Sequence, residues 1–414
     1  MLFRSLPNFS IARRTLASTT RGALPDVVLS LALNADVVVT GARTFRNIAD
    51  VDNPTDSLVG LASTASEGAV TAAQLDARPV MRAGEVLESV PGLIISQHSG
   101  EGKANQYYLR GFNLDHGTDF STLVAGVPVN TPTGAHAHGY ADLNFLIPEL
   151  VSGVQFKKGP YFAEQGDFAT AGSATINYAS VLEHTTARVE GGGEGFGRVF
   201  AAASPAVGAG HVLGAVELER NDGPWVRPDR FRKVNGVARY SRGDSVDGLT
   251  LTVMGYQSHW NSTDQVPLRA LEDGTLDRFA AVDNTDGGDT SRYSGSFEWQ
   301  HSSASATTRV SAFALALDLN LFSNFTYFLD DPVHGDQQEQ VDRRFVSGAK
   351  VFQRRISRWG RYTVQNTYGV QVRNDQIGTV ALYHTEARRR LDARSNDNAM
   401  VTSAGVYAQN EIEW

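Results

Sequence analysis

The sequence predicts a mainly β protein: an N-terminal α/β section followed by a long series of antiparallel strands. Three observations predict it. Glycine is abundant, 40 of 414 residues, which favours turns, bulges and strands over helices. From about residue 185 apolar and polar residues alternate over runs of ten or more, longer than the usual strand of about 5–6 residues. No run of 18 apolar residues occurs anywhere, so the chain holds no hydropathic helix for crossing a bilayer; strands that turn alternate residues to lipid leave no such run.

Composition narrows the function classes. Lys+Arg number 37 against 45 Asp+Glu, a net charge of -8, which argues against a general nucleic-acid binder. Charged residues are 20% and hydrophobic residues 41% of the chain, so wholesale disorder is not expected. The absence of cysteine excludes disulfide scaffolds, thiolate metal sites and cysteine nucleophiles, and it fits the oxidising bacterial envelope. There is no G-x-S-x-G, H-E-x-x-H or Walker pattern, so no enzyme signature is present.

Residues 1–35 are a leader with Arg4, Arg13, Arg14 and Arg21, no acid before Asp26, and a short apolar core at 27–33. That is the pattern of a signal peptide, with a disordered tail as the competing reading because Pro25-Asp26 breaks into the core. Residues 36–79 start with the β-prone run Asp36-Val37-Val38-Val39-Thr40-Gly41 and continue as a linker with short strands. Residues 80–182 form the α/β section. A short helix ends at Pro91-Gly92, and strands are expected at 93–96, 107–110, 122–124 and 151–158.

From 183 to 414 the runs alternate. Leu249, Leu251 and Val253 share a face, as do Tyr362, Val364, Tyr368, Val370 and Val372, and as do Phe313, Leu315, Leu317, Leu319 and Leu321. These faces are expected to meet lipid. The acidic stretch 283–289 and Arg388-Arg389-Arg390 are expected to be solvated loop or rim. Gly191 to Gly197 reads as strand and turn glycine.

Five segments in order carry a family resemblance. They are Val86 to Gly92, Leu109-Arg110-Gly111-Phe112, Val124 to Val129, Lys158-Gly159-Pro160 and Gly172 to Asn177. Together they resemble the plug domain of TonB-dependent outer-membrane receptors, with the alternating runs standing where that family has its transmembrane barrel. The resemblance implies a plug built around Pro91, Gly92, Arg110, Gly111, Gly126, Gly159 and Pro160. It implies a TonB box at Asp36, Val37, Val38, Val39, Thr40 and Gly41, giving the periplasmic TonB protein and its inner-membrane energising complex a strand to pair with. It also implies residence in the bacterial outer membrane, contact with its lipid, and transport rather than catalysis. Two positions depart from the pattern: Ala125 replaces an Asp before the turn glycine, and Lys158 replaces an Arg before Gly-Pro. About ten strands are expected after 183, against roughly 22 in the family's barrels, so the chain is expected to be incomplete.

Arg110 is expected to pair with carboxylates on the barrel wall. The loops bearing Asp115, His116, Asp119, His136, His138 and Tyr140 are expected to hold ligand. Among them His116, His136 and His138 suit a metal ion or a metal chelate carried as substrate, such as a ferric siderophore; no intrinsic cofactor is expected. Structural hydrogen bonding within compact loops is the plainer reading of the same histidines. The rival functions are a soluble β-rich envelope binding module and an envelope hydrolase using His and Asp near 115–138.

Overall fold

The computed structural model describes residues 2–4, 12–14, 66–97, 100–136, 139–244 and 246–413. The TonB-box run 36–41, most of the leader, His98 and His138 lie outside these. Leu2–Arg4 (β1) and Ala12–Arg14 (β2) pair antiparallel with each other.

The section from Ser66 to about 180 is a folded globule. Its main sheet has five strands: Glu67–Thr71 (β3), Val151–Lys158 (β9), Gly172–Tyr178 (β10), Phe120–Val124 (β7) and Val127–Pro128 (β8), side by side in that order. Only β10 and β7 run parallel. Leu93–Ser96 (β4), Gln106–Leu109 (β5) and Phe112–Asn113 (β6) form a second, smaller sheet. The first strand of the main sheet and a short helix, Ala72–Asp76 (α1), fall in the stretch read from sequence as linker. The expected helix before Pro91 is a 3-10 turn at Ala83–Ser89.

Two family motifs find their reason in hairpin geometry. Arg110-Gly111 and Ala125-Gly126 each place two successive residues in the left-handed region, at φ 52° and 85° and at φ 46° and 80°. Such pairs make the tight turns that match strand twist and join β5 to β6 and β7 to β8. Ala125 thus pays a backbone cost that the Asp or Asn usual at such a position would reduce.

The remaining strands form one antiparallel sheet of eleven. They are Thr186–Gly191 (β11), Gly197–Ala203 (β12), Ala206–Val207 (β13), Gly210–Asn221 (β14), Phe231–Gly243 (β15), Asp247–Asn261 (β16), Gly287–Ser302 (β17), Ala306–Ser323 (β18), Gln338–Trp359 (β19), Tyr362–Glu386 (β20) and Arg389–Glu413 (β21). Connections at one end are short (244–246, 303–305, 360–361), and several at the other are long (222–230, 262–286, 324–337). A second helix, Leu268–Glu272 (α2), sits in the longest of these. Strands of 12–25 residues and this asymmetry of loops match transmembrane barrel strands. No helix among the described residues is long and apolar enough to cross a membrane.

Of the three runs whose faces were expected from alternation, those on β16 and β20 point outward as expected at Leu251, Val253, Tyr368, Val370 and Val372, while Val364 is buried. Leu251, Val253, Val234, Phe345, Tyr368, Val370 and Val372 are all exposed on the outer face. The Phe313–Leu321 expectation is corrected. Leu315 and Leu321 are 2% and 0% exposed, and Phe313 and Leu317 pack against the globule's core. The register runs Ala215–Val237–Met254–Ser294–Leu315–Val346 across six strands as an inward row. Outward from β18 stand Ala312, Ala314 and Ala316 instead. Period two tells which residues share a face, not which side that face takes. Here the globule offers an apolar surface inside the sheet, so the large side chains turn toward it and the alanines turn away.

Candidate functional site: the long-loop end of the globule

The inner wall holds the globule mainly by donating to its backbone carbonyls. Arg292 donates to Pro128 O at 2.7 Å, Ser296 to Ala125 O at 2.6 Å, and Asn235 to Phe145 O at 2.6 Å. Arg344 donates to Pro132 O at 2.6 Å and to Thr133 O at 3.0 Å, Arg373 to Asn130 O at 2.9 Å, and Lys350 to Glu164 O at 2.8 Å. Asp342 and Asp375 hold Arg344 and Arg373 in place. The expected Arg110–wall pair is corrected. Arg110 is exposed, its backbone N–H bonds Gly92 O, and among the described residues it makes no ion pair with the wall. Polarity runs the other way, because the wall side chains bear the charge and the globule supplies peptide oxygens. Globule side chains also take part: Glu149 is gripped by Arg198 of the wall at 2.7 and 2.9 Å, and Glu101 accepts from Asn221 at 3.2 Å.

At the long-loop end, residues 100–105 of the globule lie against β16. Gly102, at φ +86°, packs flat on the indole of the fully buried Trp260. Lys103 pairs with Asp264 at 2.8 Å, both side chains nearly buried. The backbone N–H of Glu101 donates to Asp229 Oδ2 at 3.1 Å, and Trp225 Nε1 donates to the same oxygen at 2.9 Å. Burial pushes the Asp229 carboxyl up to about 7, against the pull of those two donors. A carboxyl raised in the folded state contributes its stability fully below its unfolded pKa, near 4, and loses it as pH rises through about 7. Asp229→Asn keeps an oxygen for both donors. It is therefore expected to abolish a change near pH 7 in Trp225 fluorescence and in hydrogen exchange of residues 100–103. A variant that keeps the same pH profile contradicts this assignment.

Beside this loop lie two of the predicted histidines. His116 follows a turn fixed by Asn113, whose Oδ1 accepts the Asp115 N–H at 2.7 Å. His136 comes from the loop after β8. Their ring centroids are 4.5 Å apart at 66°, and each lies 5.6 Å from the Tyr140 ring. His116 Nδ1 is 3.1 Å from Asn105 O, and His136 Nδ1 is 2.6 Å from Gln340 Oε1 on the wall. Burial lowers the His136 pKa, only partly offset by Gln340. The Tyr140 hydroxyl accepts the Ala104 N–H at 2.9 Å, and its ring is buried. Asp115 Oδ1 stands 3.8 Å from His116 Nε2. Asp119 is exposed and instead accepts from Thr118 and Thr170. Among the described residues no group of three or more His, Asp or Glu comes together as a metal site.

The long loops are bound to one another. Asp283 accepts from Asn324 at 2.9 Å and from Gln337 at 3.2 Å, and Gln337 also reaches Asp286 at 3.1 Å. Arg388 donates to Thr285 O at 2.6 Å and to Asp286 O at 3.0 Å. Burial and the neighbouring Asp264 raise the Asp286 carboxyl, which is 1% exposed. The acidic stretch and Arg388 are therefore not a solvated loop and rim but an interlocked cluster; Arg390 similarly grips Glu339. The wall residues Gln340, Trp260, Asp229 and Asp264 were not found from the sequence. The available signal was inward parity on an alternating strand for Gln340 and Trp260; Asp229 and Asp264 lie in the long connections, where no period marks them.

Residues 61–173 match the family described as TonB-dependent Receptor Plug Domain. The fold is similar to the ferric citrate transporter FecA in its unliganded form, with TM-score 0.65 and 13% identity, over 84% of this chain and 53% of that one. It is similar to the copper transporter OprC, with TM-score 0.60 and 16% identity, over 84% and 53%. It is similar to the open form of the ferric-catecholate import receptor Fiu from E. coli K12, with TM-score 0.61 and 13% identity, over 84% and 57%. The chain thus spans about half the length of the solved structures it matches.

Proposed function

We propose that this chain, which carries a TonB-dependent receptor plug domain and strands of the matching barrel fold, serves as an outer-membrane receptor importing a siderophore or metal. The observation that carries the reading is the plug seated against the inner face of the sheet by a few separate hydrogen bonds to its peptide carbonyls. A wide barrel leaks unless filled, and ties of this kind close it yet yield one at a time. The long-loop end is the extracellular one, since outer-membrane barrels put short turns in the periplasm. Ligand meets the plug there, at Asp115, His116, His136 and Tyr140. The sequence holds no nucleotide-binding loop, so the driving energy comes from TonB acting through residues 36–41.

Uptake tests this. Cells producing the protein are expected to accumulate radiolabelled ferric chelate or metal, and deletion of 36–41 is expected to abolish accumulation at an unchanged outer-membrane level. Equal uptake with and without the segment rejects the reading. Recovery of the protein as a detergent-free soluble monomer favours the envelope binding module instead.

A further inference from the structure

The outer face of the sheet carries two arginines that import does not use. We propose that Arg220 and Arg232 hold the phosphate of an anionic lipid headgroup in the leaflet at the long-loop end. This rests on the receptor reading only in placing the chain in a membrane with its long loops outward.

Strand register brings the two together. Arg220 on β14 stands directly opposite Arg232 on β15, and Arg232 directly opposite His259 on β16. Residues opposite one another on a face have Cβ atoms about 4.5–5.5 Å apart. The face is the outward one. Leu218 and Val234, two residues along each strand, are 46% and 54% exposed, and both arginines are exposed. Like charges so placed destabilise a sheet, and an anion between them relieves the repulsion.

The chain itself supplies no such anion. Among the described residues neither arginine has an ion pair or a side-chain hydrogen bond. Their basic neighbours are matched. Lys233 meets Glu217 at 3.3 Å and Glu219 at 2.5 Å on the inward face, and His259 meets Asp289 at 2.5 Å. Farther round the outer face, Arg343 meets Asp318 at 3.1 Å. The carboxylate of Asp222, two residues beyond Arg220, lies over Gly195 instead. On the other flank the row continues through Gly197 and Gly191. A Cβ at Gly197 would stand 3.3 Å from Arg220 Nε, so its absence lets the arginine lie along the sheet. Nothing lies within 4 Å of the same point at Gly191. The glycine-rich stretch thus leaves the pair open on one side, with room for a headgroup.

Height selects a lipid. The outward positions of β15 run Arg232, Val234, Gly236, Ala238, Tyr240 and Arg242, charged only at the two ends. Those ten steps of strand cover about 33 Å. At a tilt near 40° that is about 25 Å of height, the apolar band of an outer-membrane barrel. Arg232 therefore stands where headgroups begin, with acyl chains against Val234 and Leu218 below it. Guanidinium groups match phosphate oxygens in bidentate pairs.

The test uses the full chain in detergent micelles doped with phosphatidic acid or with phosphatidylcholine, and native mass spectrometry counts the lipid retained. Wild type is expected to retain one phosphatidic acid in preference to phosphatidylcholine. Arg220→Gln and Arg232→Gln are each expected to weaken retention about fivefold, and the double variant about twenty-five-fold. Both side chains are exposed, so the variants keep the fold. Arg242→Gln is expected to retain lipid as wild type does, because its register neighbours Gly210 and Leu249 are uncharged. Inorganic phosphate at the concentration of the lipid is expected not to displace it. Equal retention of the two lipids, retention indifferent to both arginines, an equal loss in Arg242→Gln, or displacement by inorganic phosphate overturns the proposal. The import reading fails separately. If retention ignores the arginines but uptake requires residues 36–41, the receptor stands and the lipid site falls. If the arginines hold phosphatidic acid but uptake ignores that segment, the reverse holds.

Discussion

Gly102→Ala is expected to detach the plug's outer loop from the barrel wall. The added methyl would enter the Trp260 ring, which is fully buried and cannot swing aside, and the backbone there has φ +86°. Left-handed backbone costs an alanine about 1–2 kcal/mol, and overpacking a filled site costs about 1–3 kcal/mol more. The loop also carries Glu101 on Asp229 and Lys103 on Asp264, so displacement breaks those ties too. Hydrogen exchange of residues 100–105 should accelerate to a degree matching a loss of roughly 2–5 kcal/mol, the sum of those two ranges. The double variant with Trp260→Ala should recover the overpacking part and leave the backbone part. Native protection in Gly102→Ala alone would show that the loop does not rest on Trp260.

Arg198→Met is expected to do comparable damage lower in the plug. Arg198 gives two hydrogen bonds to Glu149 of the plug and one of 2.7 Å to Glu217 of the wall, whose side chain is 1% exposed. Removing the guanidinium leaves those carboxylates facing each other with, among the described residues, Lys233 and Asn235 to serve Glu217. Breaking a buried pair from one side costs about 3–5 kcal/mol. Burial by itself would raise the Glu149 carboxyl, but the Arg198 hydrogen bonds and charge outweigh it and hold the group below its usual value. The stability that this depressed pKa brings is present above the unfolded carboxyl pKa and is lost as pH falls through the folded one. Wild-type plug protection should therefore drop at acid pH, and Arg198→Met should be weak throughout and lack that acid step. Single-channel conductance in planar bilayers should rise in the variant. A variant as tight as wild type at neutral pH would show that the plug does not hang on this pair.

Much of the site was legible as residue types and little of it as contacts. His116, His136 and Tyr140 stood out because imidazole and carboxylate recur in two turn-rich loops, and the fold brings their rings together. Asp119 stood out for the same reason and lies elsewhere. Gln340, which orients His136, is 204 residues away in the chain. Nothing local to either residue announces the pair. Arg110 was credited with a wall contact because charge is visible in sequence; the acceptors that hold the plug are peptide oxygens, which every residue has and no sequence distinguishes.

The sequence by itself determined the order of parts and the strands with their two faces, because period-two alternation acts over a few residues; the left-handed pairs at Arg110-Gly111 and Ala125-Gly126 came from the structure. Tertiary structure alone decided which face looks inward. On β20 the face carrying Tyr368, Val370 and Val372 looks outward. On β18 the leucine face meets the plug, since burial against a neighbouring apolar surface is as favourable as burial in lipid and only the packed globule says which is on offer.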